Sequence, residues 1–139
     1  MPKTARDIMT TDLITVTPTT PIREFARICV EDNISGAPVL NVDGSLAGLV
    51  SKTDLLERLL EDDPRHMQET ESLTDLWLGE DNPIAEIMVE DMVTVTPDAS
   101  VPELAALMAE HRIHRLVVLE GGKCVGMITS LDLLSNYGS

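Results

Sequence analysis

The chain has 139 residues, 43% of them hydrophobic and 24% charged, enough for one domain or two half-domains sharing a core but not for two full-sized domains. Ten basic against 24 acidic residues leave a net charge of −14, which disfavours DNA, RNA and anionic membranes as partners, and three aromatics (Phe25, Trp77, Tyr137) cannot build a base-stacking platform. No apolar run approaches the ~18 residues of a membrane span and residues 1–7 lack a signal-peptide stretch, so a cytoplasmic protein is expected.

The chain repeats itself. At an offset of 79, Ile8-Met9 aligns with Ile87-Met88 and Thr15-Val16-Thr17-Pro18 with Thr94-Val95-Thr96-Pro97, and 11 of the 27 positions from Ile8 to Ile34 are identical. At an offset of 78, the stretch from Gly48 through Ser51 to Asp54 matches that from Gly126 through Thr129 to Asp132.

Each repeat predicts the same elements. Residues 15–17 and 94–96, β-branched and stopped by proline, predict a short strand. A helix follows, with inner positions Ile22, Phe25, Ala26, Cys29 and Val30 in one copy and Val101, Leu104, Ala105, Met108 and Ala109 in the other. Thr20 before Pro21 reads as an N-cap with proline at N1, and Ser100 with Glu103 as a capping box. Two hairpin strands come next, 37–42 and 46–50 around Asp43-Gly44, then 116–119 and 124–128 around Gly121-Gly122. A last helix points Leu55, Leu56, Leu59 and Leu60, or Leu133 and Leu134, inward. A β-α-β-β-α unit of this size cannot cover its own sheet, so the fold class expected is α/β (α+β), with two copies packed sheet to sheet. Cys29 and Cys124, in apolar surroundings without CxxC spacing or histidine ligands, read as buried thiols rather than a disulfide or a metal pair.

Residues 61–83 carry eight acidic residues and Arg65, a net −7. Leu73, Leu76 and Trp77 have one-face helical spacing that stops at Gly79. This segment reads either as a solvated connector docking back on the domain or as an interface anchored by Trp77.

The motif Gly-x-x-Ser/Thr-x-x-Asp occurs twice, as Gly48, Ser51, Asp54 and as Gly126, Thr129, Asp132. One reading is structural, a capping box that starts the last helix. The other is functional: at a strand-to-helix junction, free N–H groups attract anions, a carboxylate can hold vicinal sugar hydroxyls and the hydroxyl can meet a phosphate. Antiparallel pairing brings Gly36-Ala37-Pro38 beside Ser51–Asp54, and His114-Arg115-Leu116 beside Thr129–Asp132. Arg115 can then offer a forked cation to phosphate or make an ordinary surface ion pair. His111 reads as a partner for helix C-terminal carbonyls.

The doubled pattern, from Ile-Met and Thr-Val-Thr-Pro through Ile-Ser-Gly-Ala-Pro-Val to Gly-Leu-Val-Ser-Lys-Thr-Asp-Leu-Leu, resembles the cystathionine β-synthase (CBS) domain, and the two copies resemble a CBS pair, or Bateman module, with repeats at 4–60 and 84–137 joined by the acidic linker 61–83. Ile113-His114-Arg115-Leu116-Val117-Val118 with Gly126–Asp132 is similar to a nucleotide-binding repeat of the γ subunit of AMP-activated protein kinase. The resemblance implies pseudo-twofold symmetry and clefts between the repeats that take AMP, ADP, ATP or S-adenosylmethionine. It implies that Asp54 and Asp132 hold ribose hydroxyls, that Ser51 and Thr129 approach phosphate, that Ile14, Ala37, Val93 and Leu116 line adenine slots, and that His114 and Arg115 contact phosphate. Ser35 and Gly36 stand in the first repeat where His114 and Arg115 stand in the second, leaving Lys52 as the cation of the first motif and implying unequal sites. The expected function is a regulatory module acting on a partner protein; a ligand-free scaffold is the alternative. No catalytic constellation, metal spacing or required cofactor is expected, and a homodimer is.

Overall fold

The computed structural model describes residues 3–61 and 82–136, without the side chains of 59–61. The helix expected around Leu73, Leu76 and Trp77, the orientation of Leu59 and Leu60, and Tyr137 lie outside the described residues. In chain order the elements are α1 (Ala5–Ile8), α2 (Ile22–Glu31), β1 (Gly36–Leu40), β2 (Leu46–Ser51), α3 (Lys52–Glu61), a 3-10 turn (Ile84–Glu86), β3 (Thr94–Val95), α4 (Val101–His111), β4 (Arg115–Glu120), β5 (Lys123–Thr129) and α5 (Ser130–Ser135). They form two compact units that cut across the sequence repeats. Described residues 15–43, 47–61 and 82–90 make a first-hairpin unit, and 3–14, 44–46 and 91–136 a second-hairpin unit.

The second-hairpin unit holds a three-stranded sheet in the order β3-β4-β5. β3 runs parallel to β4, and β5 antiparallel to it from Arg115 opposite Thr129 to Glu120 opposite Lys123, with a register shift between Val118 and Leu119. Gly121 and Gly122 make the turn at φ of 61° and 80°, the left-handed pair that a two-residue hairpin needs. The core comprises Ala5, Ile8, Val95, Leu104, Met108, Leu116, Val118 and Ile128.

Two of those residues come from α1, at the start of the first repeat. Its start is a capping box in which the Thr4 N–H donates to Asp7 Oδ2 at 2.8 Å, a bond that holds the Asp7 carboxyl below its ordinary pKa. Ala5 N–H donates to Ala99 O at 2.8 Å, Arg6 N–H to Pro97 O at 2.9 Å and Val101 N–H to Lys3 O at 3.3 Å. Thr10 then pairs with Met127 in both directions, at 2.9 and 3.1 Å. An Arg6–Glu120 ion pair at 2.6 Å adds to this, but both side chains are more than half exposed, so it is worth ~0–1 kcal/mol. Burying Ile8 contributes about 1.5–3 kcal/mol, so packing and backbone pairing hold the segment.

The first-hairpin unit has the matching construction. Its core comprises Val16, Ile22, Phe25, Ala26, Cys29, Ala37, Val39, Val50, Leu55 and Ile84, the last from the segment that leads into the second repeat. Ile22 N–H donates to Asn82 O, Ile84 N–H to Thr20 O, and Ala85 N–H to Pro18 O, at 2.8–3.0 Å. Val89 pairs with Leu49 in both directions at 2.8 and 2.9 Å, and Arg58 meets Glu86 at 3.0 Å. Each unit is therefore completed by the opening segment of the other repeat.

Several expectations are corrected. The first strand survives in the second-hairpin unit as Thr94–Val95, but in the other only as a Val16–Val39 bridge, and there Thr17 and Thr20 close a turn through the Thr20 hydroxyl. That turn occupies the Thr20 hydroxyl, so Thr20 does not cap α2; Pro21 is the N-cap, and the Ile22 N–H goes to Asn82 O. Ser100 does cap α4, accepting from Glu103 N–H at 3.3 Å. Val30, Ala105 and Ala109 are exposed, as are Leu56 and Leu134; the buried stripes are narrower than the apolar ones. Cys29 is buried but Cys124 only half so, and neither forms a disulfide; partial burial raises the Cys124 pKa.

The motif glycines meet the leading segments. A Cβ on Gly48 would lie 2.9 Å from the Val89 carbonyl oxygen and 3.1 Å from Met88 Sδ; one on Gly126 would lie 2.5 Å from Met9 Sδ and 3.1 Å from Thr10 O. Arg112, by contrast, ends α4 at φ 54°, a left-handed conformation that favours glycine. In urea denaturation, Gly48→Ala is expected to cost about 1–3 kcal/mol by displacing backbone, and Arg112→Gly to stabilise by about 0.5–1 kcal/mol. Gly48→Ala of wild-type stability would remove the close-approach account.

Candidate functional site

Each hairpin runs directly into a helix, and the motif hydroxyl and carboxylate sit at that corner. In the second-hairpin unit, Thr129 N–H donates to Asp132 Oδ2 at 2.8 Å and Asp132 N–H to Thr129 Oγ1 at 3.2 Å. In the first-hairpin unit, Ser51 N–H and Oγ both donate to Asp54 Oδ2, at 2.7 and 3.1 Å, and Asp54 N–H returns a 3.4 Å bond to Ser51 Oγ. The capping-box reading is thus correct at Thr129 and matched by the same bonds at Ser51. It leaves chemistry over: both aspartates are half-buried, and their Oδ1 atoms bond no other described residue. A carboxylate with one oxygen uncommitted and spare lone pairs on the other can accept from a pair of hydroxyls.

The neighbouring strand reaches both corners. Arg115 pairs with Thr129, Leu116 with Ile128, and Ser130 N–H donates to His114 O at 2.9 Å. The equivalent bond, Lys52 N–H to Ser35 O at 2.9 Å, sets Ser35-Gly36-Ala37 beside Ser51. Ala37 and Leu116 are fully buried and belong to the two cores. Val93 O accepts from Val117 N–H at 3.4 Å, which places Val93 next to β4. Arg115 is half-buried and His114 exposed.

Ile14, 37% exposed, lies two residues before Val16, whose N–H donates to Pro38 O at 3.1 Å. Lys52 follows Ser51 in the chain, but it lines a groove of about 260 Å³ between α2 and α3 with Ala26, Cys29, Val30, Leu55 and Leu56.

Sequence reading also missed the purpose of the motif glycine. It leaves room for Met88-Val89 or Met9-Thr10 to lie against the strand, three residues before the corner hydroxyl. The available signal was the Ile-Met pair, which recurs near the start of each repeat at an offset of 79, one more than that of the glycine. Among the described residues no group of histidine, cysteine and carboxylate side chains could hold a metal ion, and no helix is long and apolar enough to cross a membrane.

The CBS-domain family model matches residues 5–61 and again 84–139. The chain belongs to the CBS family. It is a tandem CBS pair with the α+β fold of that family. A CBS-domain protein of Bacillus subtilis, YhcV, is 29% identical over 136 residues, covering 96% of this chain and 85% of its own. Other curated relatives are longer, and the chain spans 42% of one and 24% of two more. Among solved structures, the CBS pair of protein MJ0100 in complex with 5′-methylthioadenosine and S-adenosyl-L-methionine has a TM-score of 0.80 at 24% identity, over 99% of this chain and 98% of that one. CBSX2 in complex with AMP has a TM-score of 0.77 at 24% identity, over 96% and 94%. At that identity the likeness to both structures is one of fold.

Proposed function

We propose that this CBS pair is a regulatory module that binds an adenine nucleotide or another adenosyl compound at its strand–helix corners and passes the binding energy to a partner protein. One observation carries the reading: both units keep a half-buried aspartate whose Oδ1 bonds no other described residue. A cap alone uses only Oδ2. The complexes of MJ0100 with adenosyl compounds and of CBSX2 with AMP support the ligand class. Asp54 and Asp132 take the ribose hydroxyls, Ser51 and Thr129 face the phosphate side, and Ile14, Ala37, Val93 and Leu116 contribute to the adenine slots. A ligand of this kind signals only through different affinities for two conformations of the module, so the proposed role is regulatory rather than catalytic, in a cytoplasmic setting.

The second reading, a ligand-free scaffold, is favoured by one specific fact: reciprocal capping explains each hydroxyl–carboxylate pair without any ligand. Isothermal titration of AMP, ADP, ATP and S-adenosylmethionine separates the two. The regulatory reading expects saturable binding of at least one compound, abolished in the Asp54→Ala, Asp132→Ala double variant; no binding of any at millimolar concentration, or undiminished binding by the variant, supports the scaffold.

Val30, Leu56, Leu131 and Leu134 are exposed on helices, and covering such surface on a second copy is the assembly we propose, a homodimer. Light scattering is expected to give about twice the 15.2 kDa chain mass; a mass of one chain at every concentration would reject it.

A further inference from the structure

Each motif aspartate sits in the first turn of its helix, and the residue one turn further on is tied to the opening segment of the other repeat. In the second-hairpin unit that residue is Asn136, which ends α5. Its Nδ2 donates to Asp132 O at 2.8 Å, and its Oδ1 accepts from Lys3 Nζ at 2.9 Å. In the first-hairpin unit it is Arg58 of α3, whose Nη2 meets Glu86 Oε1 at 3.0 Å. Asn136 and Arg58 match at the same offset of 78 as Asp132 and Asp54.

The chemistry differs while the connection is kept. One tie joins an amide to an ammonium, the other a guanidinium to a carboxylate, so what the two units share is position and not residue type. Their partners are not equivalent either. Glu86 matches Asp7 at an offset of 79, but Asp7 Oδ2 already accepts from the Thr4 N–H and hydroxyl at 2.8 and 3.2 Å, and Lys3 supplies the tie instead. The helices need such support: α5 has six residues, too few to be stable alone, and its last carbonyls find no partner within it. Asn136 satisfies one of them with an amide whose oxygen is fixed by Lys3.

Building on the adenosyl-binding reading, we propose that Asn136 and Arg58 are positioning residues that couple each aspartate-bearing helix to an opening segment, residues 3–10 for Asp132 and 82–90 for Asp54, so that docking of the segment tightens binding at the corner. Coupling of this kind is reciprocal. A compound at the Asp132 corner tightens residues 3–10, one at the Asp54 corner tightens residues 82–90, and those segments are what a partner protein reads.

The test is hydrogen exchange on the full-length chain, alone and saturated with AMP or with S-adenosylmethionine, beside calorimetric titration of both compounds. Added protection at 129–136 or at 51–58 shows which corner a compound fills. A compound at the Asp132 corner should also protect 3–10; Lys3→Ala should remove that added protection and weaken the compound by about threefold to tenfold, with Lys3→Arg close to wild type. At the Asp54 corner, Arg58→Glu and Glu86→Arg should each weaken binding by a similar factor, and the double variant should recover it, which a general loss of stability would not do. If a compound fills a corner and the variants there leave its affinity and the segment's protection unchanged, or the double variant recovers nothing, the coupling falls while adenosyl binding stands. If neither compound binds the wild-type chain, or one binds and protects neither corner, both fall.

Discussion

Neither hairpin in this protein is finished by its own repeat. Thr10 closes on Met127 and Val89 on Leu49, each with a reciprocal pair of backbone hydrogen bonds, and these two contacts are equivalent under the same 79- and 78-residue offsets that relate the repeats. The same segments bury Ile8 and Ile84 and satisfy N–H groups around the starts of α4 and α2. A β-α-β-β-α repeat alone would leave a strand edge and a helix start without partners, and unpaired buried backbone groups are costly. Here they are supplied by the opening segment of the other repeat.

The chemistry at the corners follows from this arrangement. Because Met9-Thr10 and Met88-Val89 cross β5 and β2 at Gly126 and Gly48, the strands end in a fixed place, and Thr129 and Ser51 fall where their hydroxyls and the aspartates three residues on can cap a helix. Lys3 Nζ, on a leading segment, also reaches Asn136 Oδ1 at 2.9 Å, and Asn136 in turn donates to Asp132 O at 2.8 Å. The backbone carbonyl of Asp132 is thus held by bonds traceable to the N-terminal segment. Where the units differ is in side chains that the frame does not require: Arg115 against Gly36, and Ser130 against Lys52.

Much of this was legible in the sequence because it lay in short-range patterns. The offset repeats, the paired glycines of the second hairpin turn and the Ser/Thr-x-x-Asp caps each depend on residues close in the chain, and each appears in the structure. What was not legible depended on distant partners. Thr20 looked like a cap because Asn82, which takes the N–H of Ile22, is far away in sequence. Val30, Leu56 and Leu134 looked internal because apolar spacing does not tell how wide a stripe the core covers. Gly48 and Gly126 had no evident reason until the segments crossing them were in place. At the site, the strand register brought Arg115 to Thr129 as expected, whereas the Lys52 side chain joined the groove beside its own helix.

Reciprocal completion of the hairpins is tested most directly by hydrogen exchange on a full-length Thr10→Pro variant, which removes the Thr10 N–H bond to Met127 O. Loss of amide protection concentrated in residues 115–129, more than a hundred positions from the substitution, with residues 36–51 retaining theirs, is the result expected. Loss confined to the substituted repeat, with 115–129 as protected as in the wild type, would contradict it.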